Sequence, residues 1–124
     1  TDVLLASLDD DTVAWHENDG SQGFTEHVLT TAADGARTAY AIDVDGDSDV
    51  DVLSTSIWDD TVAWYENDGS QSFTEQVITT AADWAAGAFA LDVDGDGDVD
   101  VLSASHVDAT VAWYENDGAQ SFSQ

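Results

Sequence analysis

Apolar residues in this chain fall in short runs rich in β-branched and aromatic side chains. Each run is bounded by Gly, Asn or Asp. Thr61-Val62-Ala63-Trp64-Tyr65-Glu66, followed by Asn67-Asp68-Gly69, is representative. No long apolar stripe recurs at helical spacing and proline is absent, so the pattern predicts consecutive short strands joined by turns. Four strands are expected in one unit. Strand A covers Tyr40 to Asp43 (Phe89 to Asp92 in the next copy), B about Val50 to Ser56, C Thr61 to Glu66 and D Phe73 to Thr79. Asn67-Asp68-Gly69 supplies residues tolerant of positive φ for the C–D hairpin. Ala-rich Thr80 to Ala88 reads as the connection from D to the next A, through a short helical turn or through small residues that let neighbours approach.

The pattern repeats. Trp15, Trp64 and Trp113 stand 49 residues apart, as do Phe24, Phe73 and Phe122 and the three Glu-Asn-Asp-Gly segments beginning at Glu17, Glu66 and Glu115. The chain therefore holds two units and about half of a third, divided at the acidic loops into 1–42, 43–91 and 92–124. Four short antiparallel strands in a unit of this length make the blade of a β-propeller. Such blades bury both faces against neighbours, so Val62 and Trp64 are expected on one face and Ala63 and Tyr65 on the other. Core packing is the ordinary reading of Trp15, Trp64, Trp113, Tyr65 and Tyr114.

Two segments carry the acidity. Asp43-Val44-Asp45-Gly46-Asp47-Ser48-Asp49-Val50-Asp51 and Asp92-Val93-Asp94-Gly95-Asp96-Gly97-Asp98-Val99-Asp100 hold ten of the 27 carboxylates, and the formal charge is −26. So many like charges repel one another unless a cation neutralises them. An all-oxygen set with aspartate at positions 1, 3, 5 and 9 suits a hard cation, and a crowded, flexible set suits calcium better than magnesium. Asp43, Asp45, Asp47 and Asp51, and likewise Asp92, Asp94, Asp96 and Asp100, would supply carboxylates. Asp49 and Asp98 would offer backbone carbonyls and turn their side chains to solvent. The plain alternative is an acidic, solvated turn. Asp2 matches Asp51 and Asp100 and reads as the remnant of a further loop, which the chain would then enter midway, as a processed or excised segment does.

With Arg37 the only basic side chain apart from three histidines, phosphate-directed nucleic-acid binding and attraction to anionic membranes are excluded. No stretch is apolar enough to span a bilayer, so no membrane insertion is expected. A hydrophobic content of 43% argues against a disordered acidic tail. Cysteine is absent and so says nothing of compartment. Weak calcium loops fill at the roughly millimolar calcium found outside cells, which favours an extracellular or cell-surface setting.

Loop, aromatic strand and turn occur in one order. Asp-x-Asp-Gly-Asp-Gly/Ser-x-x-Asp leads into Val-Leu, then Val-Ala-Trp-Tyr-Glu-Asn-Asp-Gly and Phe. Essentially the whole chain thereby resembles the FG-GAP or VCBS-type repeat, found in the propeller of integrin α chains and in many bacterial surface and secreted proteins. The resemblance implies calcium-binding propeller blades with a structural metal, and roles in adhesion and ligand binding that include propeller lectins. Family rings hold more blades than this chain supplies. Self-association to complete a ring, or flanking repeats of a longer chain, is therefore expected.

The copies differ in two connections. Between B and C, Leu8-Asp9 becomes Ile57-Trp58 and then His106-Val107; between D and A, Gly35-Ala36-Arg37-Thr38 becomes Trp84-Ala85-Ala86-Gly87. In an up-and-down blade both connections emerge opposite the acidic loops, so one face is constant and the other diversified. Trp58 and Trp84 are candidate platforms for the apolar side of a sugar ring or for an aromatic ligand, with His106 and Arg37 as polar partners. Packing between blades is the competing explanation for both tryptophans. No nucleophile, paired acid or phosphate loop stands out, and His16, His27 and His106 have no carboxylate or serine at repeat-consistent spacing. A non-enzymatic binding module, carbohydrate-directed, is the leading expectation. A structural spacer or protein–protein adhesion scaffold is the alternative.

Overall fold

In the computed structural model, which describes residues 1–124, the chain forms eleven strands and no helix. They are β1 (Val3–Ser7), β2 (Thr12–Asn18), β3 (Phe24–Thr30), β4 (Ala36–Ile42), β5 (Asp51–Ser56), β6 (Thr61–Asn67), β7 (Phe73–Thr79), β8 (Ala85–Leu91), β9 (Asp100–Ser105), β10 (Val111–Asn116) and β11 (Phe122–Ser123). Sequential antiparallel pairing gives three sheets, β1-β2-β3, β4-β5-β6-β7 and β8-β9-β10-β11. These are propeller blades, the first built from strands B, C and D. The third carries a two-residue start of D.

Strand A is longer than expected. The Ala-rich stretch read as a connection is itself sheet, since β4 and β8 begin at Ala36 and Ala85 and run seven residues each. No helical turn forms there. The physical reason is position. These innermost strands lie against one another, with the Tyr40 and Phe89 rings 5.3 Å apart, and small side chains allow that approach. Each strand A also carries a β-bulge. Pairing with strand B slips between Ala36 and Thr38, and again between Ala85 and Gly87, leaving Arg37 and Ala86 as the extra residues.

The cores lie between blades. Val13, Ala33, Ala36, Val52 and Tyr65 fill the first junction. Leu53, Val62, Trp64, Ala85, Val101 and Tyr114 help to fill the second. Trp64 and Tyr65 thus point to opposite neighbours, as strand alternation requires. Val44, from the acidic loop, is buried in the second junction. The first junction has no counterpart of it, and there a concavity of about 310 Å³ opens beside Trp15, Val50, Val52 and Phe73. The residues 49 positions further on, Trp64, Val99, Val101 and Phe122, belong to the same packed cluster as Val44 in the filled junction, so this space belongs to blade packing.

On the third blade the face equivalent to that of Trp64 is open. Val111 is 76% exposed and Trp113 38%, where Val62 and Trp64 are 0% and 1%. Burial at these positions is therefore set by the next blade, and an isolated blade could not hide them.

Candidate metal loops and the opposite face

Both acidic loops fold onto themselves through Asx-type hydrogen bonds. The Asp43 carboxylate accepts from the Gly46 N–H (2.7 Å) and the Ser48 N–H (3.0 Å), Asp45 from Asp47 N–H and Asp47 from Asp49 N–H. Asp92, Asp94 and Asp96 repeat the arrangement. The last aspartate is different. Asp51, fully buried, accepts from Val44 N–H at 2.9 Å and, with its other oxygen, from Asn67 N–H at 2.8 Å. Asp100 does the same with Val93 and Asn116. Asp2 accepts from Asn18 N–H at 3.0 Å, so the alignment of Asp2 with Asp51 and Asp100 has a structural counterpart.

Carboxylate oxygens of Asp43, Asp45 and Asp51 converge to within 4.8 Å of one another, and those of Asp92, Asp94 and Asp100 do likewise. Asp47 and Asp96 stand outside these groups. The half-buried Asp49 and Asp98 side chains lean onto the following C–D turns, where a Cβ built on Gly69 or Gly118 would come within 2.6 Å of their carboxylates. Gly69 also has φ +77°, so the turn needs glycine on both counts. The other positive φ in that turn is at Gln71, and Asn67 and Asp68 adopt none. Individual aspartates of both loops are electrostatically uncomfortable. Desolvation first, then the charges of neighbouring aspartates, hold Asp45, Asp51 and Asp98 above the ordinary aspartate pKa of 3.8, while backbone hydrogen bonds oppose the rise at Asp45 and Asp51. A set of hard, clustered, anionic oxygens whose charge is costly in isolation fits a divalent cation such as calcium.

Asn67 is the residue that sequence reasoning underused. Its backbone N–H reaches Asp51, its Nδ2 donates to the Val50 carbonyl, and its Oδ1 accepts from Gly69 and Gln71 N–H. Asn116 repeats the Asp100, Val99 and Gly118 contacts. One side chain thus joins the A–B loop to the C–D turn. The exact recurrence of Glu-Asn-Asp-Gly was the signal available.

On the opposite face the B–C and D–A connections bond to each other. Ile57 N–H donates to the Gly35 carbonyl, and His106 N–H to the Trp84 carbonyl. The Asp11 and Asp60 side chains accept from Gly35 and Trp84 N–H at 2.9 and 2.8 Å. Trp84 has φ +59° where Gly35 has +69°. A bulky residue in the left-handed region is an outlier, and here the backbone is held from both sides, by Asp60 and by His106. The indole is 38% exposed, with the His106 ring 5.0 Å away.

Leu8, Arg37, Ile57, Trp84, Ala86 and His106 line one concavity of about 400 Å³. Three of the four candidate ligand residues therefore converge, Arg37 from the second blade and Trp84 and His106 from the third. Arg37 arrives on the β4 bulge, a device that re-aims a side chain. Trp58 does not join them. It is 54% exposed and its indole lies over Gly35, where a Cβ would come within 2.9 Å of the ring. Two of the histidines have carboxylate neighbours that are not repeat-related. His27 meets Glu17 at 3.2 Å and His16 faces Glu26 at 3.9 Å across the β2–β3 pair, because cross-strand neighbours need not be repeat-related. These are exposed pairs, and His27 stacks on Trp15.

Antiparallel blades of three or four strands in series, with an aspartate loop between strands A and B of the second and third, define a propeller-type repeat protein. Residues 1–54 and 43–103 match the FG-GAP-like repeat, and the chain belongs to that family. No curated protein and no solved structure matches it. FG-GAP repeats are typical of extracellular or surface proteins, and no helix here is long and apolar enough to cross a membrane.

Proposed function

We propose that the chain is a calcium-stabilised binding module of a secreted or cell-surface protein, recognising carbohydrate on the face opposite the aspartate loops. The observation that carries this reading is the convergence of Arg37, Trp84 and His106 in one concavity built from a bulge, a strained turn and a B–C connection. An exposed indole offers a flat apolar surface to a sugar ring, and the flanking polar groups offer hydrogen bonds to hydroxyls. The volume is within the range of small-ligand sites.

Asp43, Asp45 and Asp51, and Asp92, Asp94 and Asp100, would hold calcium, with Asp47, Asp49, Asp96 and Asp98 beside them in the loops. The ion would neutralise the clustered carboxylates and fix the A–B corner of each blade, leaving the recognition face rigid.

The open side of the third blade favours a second element of the reading, a partner that covers Val111 and Trp113. Another copy of the chain or an adjoining repeat presents the matching surface. Solution mass with and without calcium tests this, and a monomer at high concentration in both conditions would overturn self-association. For recognition, a glycan array together with tryptophan fluorescence is the direct test. Hits whose binding is lost in Trp84→Gly support the lectin-like reading. An empty array with unchanged fluorescence returns the protein to an adhesion or spacer role.

A further inference from the structure

We infer that the ligand of the Arg37–Trp84–His106 concavity carries a single carboxylate, as a uronic acid residue does. The inference rests on the reading of this face as the recognition surface and narrows it to acidic sugars. Arg37 is the only Lys or Arg side chain in a chain of net charge −26, with 27 carboxylates available to pair with it. It pairs with none of them. The ion pairs of the structure are the two histidine pairs on β2 and β3, and the guanidinium makes no side-chain hydrogen bond. Arg37 instead occupies the extra position of the β4 bulge, exposed, beside Trp84 and His106.

The equivalent bulge residue is Ala86, and it lines the same concavity. The scaffold therefore does not need a cation at this position. The equivalent of Trp84 is Gly35, so the scaffold does not need an indole there either, and glycine would relieve its backbone. Both departures from the repeat fall in one place. A planar guanidinium binds a carboxylate through two parallel hydrogen bonds, and the neighbouring indole takes the apolar side of the ring bearing it. The surrounding charge limits the ligand. One carboxylate is satisfied by one guanidinium, whereas a polyanion would place its remaining charges in the field of 27 acids.

The calcium-loaded 124-residue protein is titrated with D-glucuronate, its methyl ester and D-glucose, following tryptophan fluorescence and heat. Glucuronate is expected to bind about tenfold more tightly than either neutral sugar. Arg37→Gln should remove that preference, so that the three sugars bind alike, and Trp84→Gly should weaken all three. Folding of each variant is checked by its melting curve. Equal binding of the three sugars overturns the acidic class while leaving carbohydrate recognition standing. Simple carboxylates such as acetate binding as well as glucuronate keep the carboxylate and overturn the sugar. Binding of none of them overturns both.

Discussion

Asp51 accepts a hydrogen bond from the backbone N–H of Asn67, sixteen residues later, at 2.8 Å. The same carboxylate lies among the converging oxygens of the acidic loop. Metal affinity and blade geometry therefore share an atom group. Calcium bound to the folded chain and absent from the unfolded one must raise stability, by about 2.7 kcal/mol per site when free calcium is 100 times Kd. The melting temperature is expected to fall on adding chelator and to recover with excess calcium. An identical melt in both conditions would overturn the calcium reading.

Two aspartates of one loop should respond differently. Asp51→Ala strands the buried N–H groups of Val44 and Asn67, costing about 1–3 kcal/mol even in chelator. Asp45→Asn removes a like charge and keeps the loop's hydrogen-bonding shape, so it should weaken calcium binding with no loss of metal-free stability. Urea melts with and without calcium separate the two effects.

Without calcium the pH dependence has a definite sign. Asp45, Asp51 and Asp98 have folded pKa values above 3.8, so the folded chain binds more protons than the unfolded one in the interval above 3.8. Stability should accordingly fall as pH rises through that interval and grow on mild acidification. Asp68, lowered chiefly by its Ser70 hydrogen bonds, acts oppositely below 3.8. Saturating calcium should reverse the upper slope, because protons then compete with the ion. Chelator melts that improve steadily towards neutral pH would contradict this.

Trp64→Ala should cost about 3–5 kcal/mol, since the indole is 1% exposed in the second junction. Trp113→Ala, at the same register of the open blade, should cost far less in dilute solution and more as concentration rises. Melting curves across a concentration series make the comparison.

Trp84→Gly removes an exposed indole and a left-handed strain of about 1–3 kcal/mol. The melting temperature should stay the same or rise while sugar binding is lost. A large drop in melting temperature would mean that the indole is structural.

Repeat period, blade architecture, strand D and the division of Trp64 and Tyr65 between faces were legible in the sequence, because side-chain alternation and a 49-residue recurrence each carry that information. Strand A was misread over its first half. Ala36 to Ala39 and Ala85 to Ala88 hold no aromatic residue and only one β-branched residue, Thr38, and the close approach of β4 to β8 accounts for their small side chains. The convergence of Arg37, Trp84 and His106 was anticipated as a shared face, but the bulge that aims Arg37 leaves no local signature. Trp58 shows the limit of reading by residue type. An aromatic in a variable connection can cover a glycine as well as a ligand.

The open face of the third blade gives the chain a direction. Were the first blade of a second copy to cover Trp113, that copy would expose a fresh Trp113 at its own far end. Each contact of this head-to-tail kind leaves two further ends open. Such contacts stop only when the rotation accumulated from blade to blade returns to its starting point, and otherwise they continue as a fibre. Particle size is then an angular property, written in the blade-to-blade twist and readable by electron microscopy as closed discs or open filaments.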